Sequence, residues 1–194
     1  MDSFQQIFQE IIDDPMNAEM GKKGYVPVYT AGPNARIAIV GQAPGSKAQA
    51  SLRPWNDASG ITLRKWLGVT DEQFYNPDLF ALIPMDFYYP GKAAHGDLPP
   101  RKGFAEKWHP KLLALMPKVE LIIVIGSYSQ KYYLGKIMKK NLTETVRAYG
   151  GYRPGFFPLV HPSPLNFRWH VKNPWFEERV VSALRIAAQE VLKD

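Results

Sequence analysis

Four short apolar runs, separated by segments of helical periodicity, constrain the fold of this chain more than any other feature. The runs cover residues 36–40, 79–83, 120–125 and 156–160. A strand that is covered on both faces is apolar throughout, and helices between such strands connect them in parallel. The sequence therefore predicts an α/β fold, a three-layer α/β/α sandwich with a mostly parallel four-stranded central sheet.

The segments between these runs carry apolar residues at helical spacing. The pattern predicts helices over residues 4–12, 59–67, 104–115, 128–133 and 174–191. We expect Ser59 to cap the second of these helices, Pro110 to break or restart the third, and Asn173 to cap the last. No repeat or linker divides the pattern, so we expect residues 1–194 to form a single domain.

Composition and charge limit the classes of function. The 24 Lys and Arg against 18 Asp and Glu give a net charge of +6, which suits a polyanionic partner such as DNA but also fits a merely soluble basic protein. The chain has no cysteine, which excludes disulfides and thiolate metal sites, and no other residues have the spacing of metal ligands. With no signal peptide and no apolar run long enough for a membrane, we expect a cytoplasmic monomer without cofactor, metal or membrane contact.

Two of the apolar runs end in tight loops that contain proline. The turn Gly41–Gly45 (Gly-Gln-Ala-Pro-Gly) follows the first run, and the loop His161–Asn166 (His-Pro-Ser-Pro-Leu-Asn) follows the last. In a parallel sheet both loops lie at the carboxyl ends of the strands, where α/β proteins place their active sites. The first loop offers backbone N–H groups and the second a histidine. The alternatives for the first loop are a plain strand-to-helix turn or a phosphate-binding loop.

These two motifs and the segment Arg53–Gly60 resemble motifs of the uracil-DNA glycosylase superfamily. That family has a Gly-x-x-Pro-Gly or Gly-Gln-Asp-Pro-Tyr turn after its first strand, an Arg-Pro-Phe-x-Gly-Asp-x-Ser-Gly segment, and a His-Pro-Ser-Pro loop after its last strand. The chain is most similar to the branch with Ala at the third position of the turn, here Ala43. The nearest branches usually hold an iron–sulfur cluster on four cysteines, so the resemblance, which spans residues 37–166, implies a cluster-free member.

The resemblance implies a site that holds a flipped base, stabilises its departure and positions a water. Trp55 replaces the family's Phe as a stacking platform; an ordinary core tryptophan is the alternative. Asp57 stands where the branch has its water-positioning acid, and Asn56 replaces the preceding Gly; a helix-capping acid is the alternative. The predicted contacts to the base from the first turn are Gly41, Gln42, Ala43, Pro44 and Gly45.

His161 is the residue that we expect to donate a hydrogen bond to the departing base, although a lone histidine is more often structural. Ser163 would bond a phosphate, and Leu165 would fill the gap that an extruded base leaves in the duplex. The residues predicted to contact DNA are Pro162, Ser163, Pro164, Leu165, Asn166 and Arg168.

The chain departs from the family most at the second apolar run, where the family often presents an Asn that reads the uracil edge. No Asn occurs in residues 82–86, so Asp86 or Asn56 is the candidate base reader, and an acidic reader prefers bases that offer N–H donors. His95, in the long segment 84–103, is expected to touch DNA, and His109 to lie at the surface or at a helix cap.

Taken with the residues, the resemblance implies a monofunctional, metal-free DNA glycosylase of base excision repair, which acts on uracil or another deaminated base by water attack. Two alternatives stay open. A catalytically inactive nucleic-acid-binding protein of the same fold is favoured by Ala43, which replaces the family's Asp, and by the missing Asn. An enzyme that processes a nucleoside or nucleotide in the same pocket is the second alternative.

Overall fold

The computed structural model describes residues 3–193 and is built around one parallel sheet. Its strands are β1 (Ile37–Val40), β2 (Phe80–Leu82), β3 (Leu121–Ile125) and β4 (Phe156–Leu159). Their order across the sheet is β2-β1-β3-β4, and every neighbouring pair is parallel. Each strand ends within one residue of the end of its apolar run. The predicted four-stranded sheet is therefore confirmed.

Ten α-helices are described between and around these strands. They are α1 (Ser3–Asp13), α2 (Ala18–Lys22), α3 (Ser46–Ser51), α4 (Ala58–Leu67), α5 (Asp71–Phe74), α6 (Phe104–Ala114), α7 (Ser127–Leu134), α8 (Leu142–Arg147), α9 (Phe167–Lys172) and α10 (Ser182–Leu192). Short 3-10 turns cover Pro15–Asn17, Gly135–Ile137, Tyr149–Tyr152 and Pro164–Asn166, and a π-helical segment, Phe176–Val181, precedes α10.

Successive side chains of the strands point into two separate cores, as strand geometry requires. Ile37 and Ile39 of β1 are fully buried with α4 and α10 on one face of the sheet. Ala38 and Val40 of the same strand are fully buried with α1 and α6 on the other face. Helices therefore cover both faces, which confirms the predicted three-layer sandwich. No helix within residues 3–193 is long and apolar enough to cross a membrane.

Two helix boundaries differ from their predictions. Helix α6 runs without a break through Pro110, because its buried face, with Phe104, Trp108 and Leu112, is held by the core and outweighs the lost backbone hydrogen bond. Helix α4 is capped by Asp57, whose side chain accepts a hydrogen bond from the Gly60 N–H, and not by Ser59, which is already inside the helix.

The beginning of the last helical region also differs. The backbone carbonyl of the predicted cap, Asn173, accepts the N–H of Phe176. The first turns that follow are π-helical. The Phe176 ring packs there against Trp66, Trp169 and His170. The contact with Trp66 is long-range, and helical spacing along the chain does not reveal the wider turn.

The strand order places a topological switch point beside β1. The chain leaves β1 to form β2 on one side of it and later returns to form β3 on its other side. In open α/β sheets, ligands bind outside the carboxyl ends of the strands at such a point. The turn after β1, Gly41–Gly45, lies there.

Candidate active site

A cavity of about 240 Å³ opens at the carboxyl edge of the sheet. All five residues of the turn Gly41–Gly45 line it, together with His161 and Ser163 from the loop after β4. The predicted proximity of the two proline-bearing loops is therefore confirmed. The other residues that line the cavity are Val28, Ala48, Pro54, Trp55, Asp57, Ser59, Pro84 and Asp97.

The turn after β1 is fixed by the chain that follows β2. The carbonyl of Gly41 accepts the N–H of Met85 at 2.8 Å, and that of Gln42 accepts the N–H of Asp86 at 3.2 Å. Gly45 has an ordinary backbone conformation, φ −73°, and a Cβ there would meet no atom within 4 Å. Neither the backbone conformation nor the packing requires glycine at position 45. The absence of a side chain there leaves the cavity wall open.

Trp55 forms one wall of the cavity and is held in a backbone conformation that is rare for a residue with a side chain, φ 56°. Its carbonyl accepts hydrogen bonds from Tyr75 Oη and Arg64 Nη1 at 3.3 and 3.4 Å. A Cβ on Gly41 would come within 2.9 Å of the indole, so glycine at that position lets the ring approach the turn. The Trp55 backbone is thus held by hydrogen bonds, and its indole packs against the turn at the cavity.

Asp57 has two roles in the structure. Its Oδ1 accepts the Gly60 N–H at 2.9 Å and caps α4, and the residue also lines the cavity. Within residues 3–193 no protein group hydrogen-bonds Oδ2. The cap therefore fixes the direction of the carboxylate and leaves one oxygen for a ligand or a water. The capping role and a site role, weighed as alternatives from the sequence, are compatible.

His161 lies across the cavity with its ring stacked on Trp55, at 5.8 Å between ring centroids and 30° between planes. Within the described chain, neither ring nitrogen has a hydrogen-bond partner. Burial lowers the pKa of His161, against the opposing effect of the carboxylates of Asp57 and Asp97. The imidazole is therefore neutral at pH 7 and presents one N–H donor and one acceptor to the cavity.

The loop that follows His161 is braced by its own side chains. Ser163 Oγ accepts the Leu165 N–H at 3.2 Å, and Asn166 Nδ2 donates to the His161 carbonyl at 2.6 Å. Pro162 is buried and Pro164 is exposed. Leu165 is 91% exposed, which gives the loop an apolar tip that projects into solvent.

The exposed face beside that tip includes more of the predicted DNA contacts and one residue that the sequence reading omitted. Arg168 is exposed on α9. Phe167, next to it, is 70% exposed. Apolar and basic side chains of this loop and helix are therefore exposed close together along the chain.

Two predicted base readers lie elsewhere, which corrects their assignment. The carboxylate of Asp86 is fully buried and accepts hydrogen bonds from the Arg101 side chain and from the N–H groups of Tyr88 and Arg101. It has no oxygen left for a base. Asn56 is exposed and donates to Ser51 Oγ at 3.1 Å, outside the cavity lining.

His109, expected at the surface or at a cap, is fully buried behind the cavity. Its Nε2 lies 2.9 Å from the carbonyl of Pro84, which can only accept, so Nε2 carries the proton and Nδ1 accepts from Tyr133 Oη at 2.7 Å. Burial lowers the pKa of His109 to about 4. Pro84 lines the cavity, so this histidine supports the cavity wall from inside the core.

Sequence reasoning missed two parts of the site. Asp97, from the long segment after β2, lines the cavity. A second cavity of about 280 Å³ shares Gln42 and His161 with the first and extends to Gly126–Tyr128, Asn166 and Trp169. Gly126 directly follows β3, so the apolar-run-then-glycine pattern that revealed the first turn was a usable signal for this loop as well.

Metal and cluster chemistry have no donor set here. The chain has no cysteine to hold an iron–sulfur cluster, and among residues 3–193 no three His, Asp or Glu side chains are grouped as metal ligands.

Comparison with known proteins places this architecture in a family. The sequence profile of the uracil DNA glycosylase superfamily matches residues 28–185. One similar solved structure is the solution NMR structure of "a putative uracil DNA glycosylase" from Methanosarcina acetivorans, with 14% identity, a TM-score of 0.46, and coverage of 82% of this chain and 94% of that one. Because the profile covers most of the chain, including every strand and both proline-bearing loops, this protein belongs to the uracil DNA glycosylase superfamily.

Proposed function

We propose that this protein is a monofunctional DNA glycosylase that hydrolyses the N-glycosidic bond of uracil or another deaminated base in DNA. The observation that carries the proposal is the meeting, in one cavity beside a fixed indole, of a carboxylate with a free oxygen and an imidazole with two unpaired nitrogens. Membership of the superfamily supports the same reaction class.

The cavity suits a single base. Its volume of about 240 Å³ lies just below the ~300–1,000 Å³ of typical small-molecule sites. The Trp55 indole offers a flat face for stacking, which contributes about 1–3 kcal/mol per base. The open wall at Gly45 leaves room for the ring.

Two residues divide the chemistry. The free oxygen of Asp57 would orient and polarise a water toward C1′ of the deoxyribose, on the face opposite the departing base. The N–H of neutral His161 would donate to a base carbonyl, on which negative charge grows as the bond breaks. In this mechanism no lysine nucleophile is required, and the products are the free base and an abasic site.

The apolar tip and its basic neighbour would face the duplex. Leu165 would enter the base stack as the target nucleotide leaves it, a role that its 91% exposure supports. Arg168 and Ser163 would contact phosphates. The net charge of +6 favours association with this polyanion.

The test is an excision assay on single-stranded and duplex oligonucleotides that contain uracil, hypoxanthine or xanthine, with abasic sites detected by alkaline cleavage. We expect excision of at least one of these bases. Gly45→Tyr, which fills the open wall, should reduce excision of two-ring bases most. Gly150→Tyr is the matched control, because Gly150 is exposed, far from the cavity lining, and also has no atom within 4 Å of a Cβ.

Each other result points to a different function. Tight DNA binding without excision of any base would indicate a nucleic-acid-binding protein, and base release from free nucleosides alone would indicate a small-molecule enzyme. Unchanged excision of every base by Gly45→Tyr would show that the base does not enter this cavity.

A further inference from the structure

The segment between β2 and α6 contains a small hairpin, Gly91–Leu98, that reaches the cavity. Its ends are joined by the Leu98 N–H donating to the Gly91 carbonyl at 2.8 Å, and its tip by the Ala93 N–H donating to the Gly96 carbonyl at 3.0 Å. Gly91 and Gly96 have φ values of 104° and 78°, which glycine adopts without strain. Across this hairpin, Lys92 pairs with Asp97.

The hairpin is held in place by contacts at its end and just beyond it. Gln42 Nε2 donates to the carbonyl of Leu98 at 2.8 Å, which ties the hairpin to the turn after β1. Arg101, three residues further on, is locked by the buried carboxylate of Asp86 at 2.7 and 2.8 Å. These contacts hold the chain that directly follows Asp97, and so support its position at the cavity.

Asp97 supplies a polar side chain to the cavity wall on the β2 side. Of the described residues 84–103, Pro84 and Asp97 line the cavity, and only the second has a polar side chain. Asp97 also lies close enough to His161 to oppose the lowering of its pKa. After the effect of burial, its carboxylate raises the pKa of Tyr89 both by its charge and by a hydrogen bond with the Tyr89 hydroxyl. Asp97 is itself exposed to solvent, and its charge reaches the site from there.

Building on the proposed glycosylase function, we propose that Asp97 reads the edge of the bound base by accepting its ring N–H, and that it favours hypoxanthine over uracil. A carboxylate can only accept hydrogen bonds. In uracil the N3–H lies between two carbonyls, so a carboxylate that accepts it brings its second oxygen against a carbonyl oxygen. In hypoxanthine the N1–H has a carbonyl on one side and C2–H on the other, and the second oxygen meets that C–H without repulsion.

The same geometry disfavours other bases. Adenine carries an unprotonated N1 that would face the carboxylate, and xanthine has its N1–H between two carbonyls, as uracil does. Guanine offers an N1–H and an amino group, but in DNA it is held by its pairing with cytosine, and a base in a normal pair costs more to extrude than a mismatched one. Asp97 thus selects a deaminated purine at the edge, while His161 acts on a carbonyl.

The experiment compares wild type with Asp97→Asn, which replaces one acceptor oxygen by a donor and so matches the uracil edge. Asp97→Ala removes the contact, and Asp78→Asn is the control, since Asp78 is an exposed acid before β2 that bonds Asn34 away from the site. Binding is measured by fluorescence anisotropy on duplexes with non-hydrolysable 2′-fluoroarabino hypoxanthine or uracil, each opposite an abasic analogue so that pairing is equal. Single-turnover rates are measured on the hydrolysable counterparts.

We expect wild type to favour hypoxanthine in binding, and Asp97→Asn to lower the hypoxanthine-to-uracil preference by about 10- to 100-fold, the discrimination that one good base-edge contact supplies. Asp97→Ala should remove the preference, and Asp78→Asn should keep it. An unchanged preference in Asp97→Asn would overturn the inference even if excision is normal. Equal loss of rate on both bases with unchanged binding would assign Asp97 to the water and overturn it too. Absence of excision by wild type would refute the glycosylase function, whereas the binding preference still tests Asp97.

Discussion

His161 and His109 show what separates a reactive histidine from a structural one in this fold. Burial lowers the pKa of both, so titration behaviour alone does not distinguish them. Both ring nitrogens of His109 are paired within the core, with Pro84 and Tyr133, whereas those of His161 have no partner among residues 3–193. His161 is only partly buried and lines the open cavity, so its unpaired ring nitrogens stay accessible to a ligand.

The aspartates repeat this contrast. Asp86 is enclosed by Arg101 and backbone N–H groups, so its charge is used within the fold. One carboxylate oxygen of Asp57 caps α4, and the other is left for the cavity. In each pair, the sequence suggested the residue type, but the number of unpaired polar atoms identifies the member that is available for chemistry.

The largest effect is expected from Asp57→Asn. The amide still caps α4, because Asn is as good an N-cap as Asp, but it does not act as a base toward water. Excision should fall by about 10²–10⁴-fold, the scale for losing a positioned general base, while DNA affinity and thermal stability stay close to wild type. A normal excision rate would move the water-activating role to another group and break the contrast with Asp86.

The next effect is expected from His161→Ala. Losing one donor to a developing oxyanion costs about 2.7–4 kcal/mol of transition-state stabilisation. The fold loses little beyond the ring contact with Trp55, about 0.5–1.5 kcal/mol, since Pro162 and Pro164, which follow the residue, constrain the loop without the imidazole. Excision rate and melting temperature should be measured on the same sample. A strongly destabilised variant with near-normal excision would make His161 a structural histidine like His109.

His109→Gln should give the opposite result. One of the two buried partners, the Pro84 carbonyl or the Tyr133 hydroxyl, loses its hydrogen bond, which costs about 1–3 kcal/mol in the free energy of unfolding. Excision at a temperature where the variant is folded should change far less than in His161→Ala. Urea unfolding and single-turnover excision together test this. A variant of wild-type stability with greatly reduced excision would instead place His109 in the chemistry, acting through Pro84.

The sequence was most informative about features that depend on neighbouring residues. The four strands coincide with the apolar runs, and each of the two site loops comes directly after a strand. Because the strands are parallel, the meeting of the two loops at one edge of the sheet was predictable. The burial of His109 was not, because its partners Pro84 and Tyr133 lie 25 and 24 residues away. Its neighbour Pro110 also suggested a helix break that core packing overrides.

The missing part of the site has a similar cause. Asp97 reaches the cavity because its hairpin is tied to Gln42, and because Arg101 is held by Asp86, contacts that connect distant parts of the chain. Gly91 and Gly96, spaced as in a tight turn, were a local signal for the hairpin. Nothing local shows which way the turn faces. The expectation of an acidic base reader therefore named Asp86, which the structure encloses, whereas Asp97 is the acid of the segment after β2 that lines the cavity.

The smallest expected effect is on the pH dependence of the free energy of unfolding, and it tests the structural role of His109. The pKa of His109 is about 4 in the folded protein, below the usual value of about 6.5 for an unfolded chain. The unfolded state therefore binds the proton more readily, so the contribution of His109 to stability is present above pH 6.5 and is lost as the pH falls toward 4. Between pH 7 and 5 this amounts to about 2 kcal/mol. Urea unfolding at both pH values should show a loss that is smaller by this amount in His109→Gln than in wild type. Equal losses in the two proteins would mean that His109 does not remain neutral in the core, and would remove the pairing on which its structural role depends.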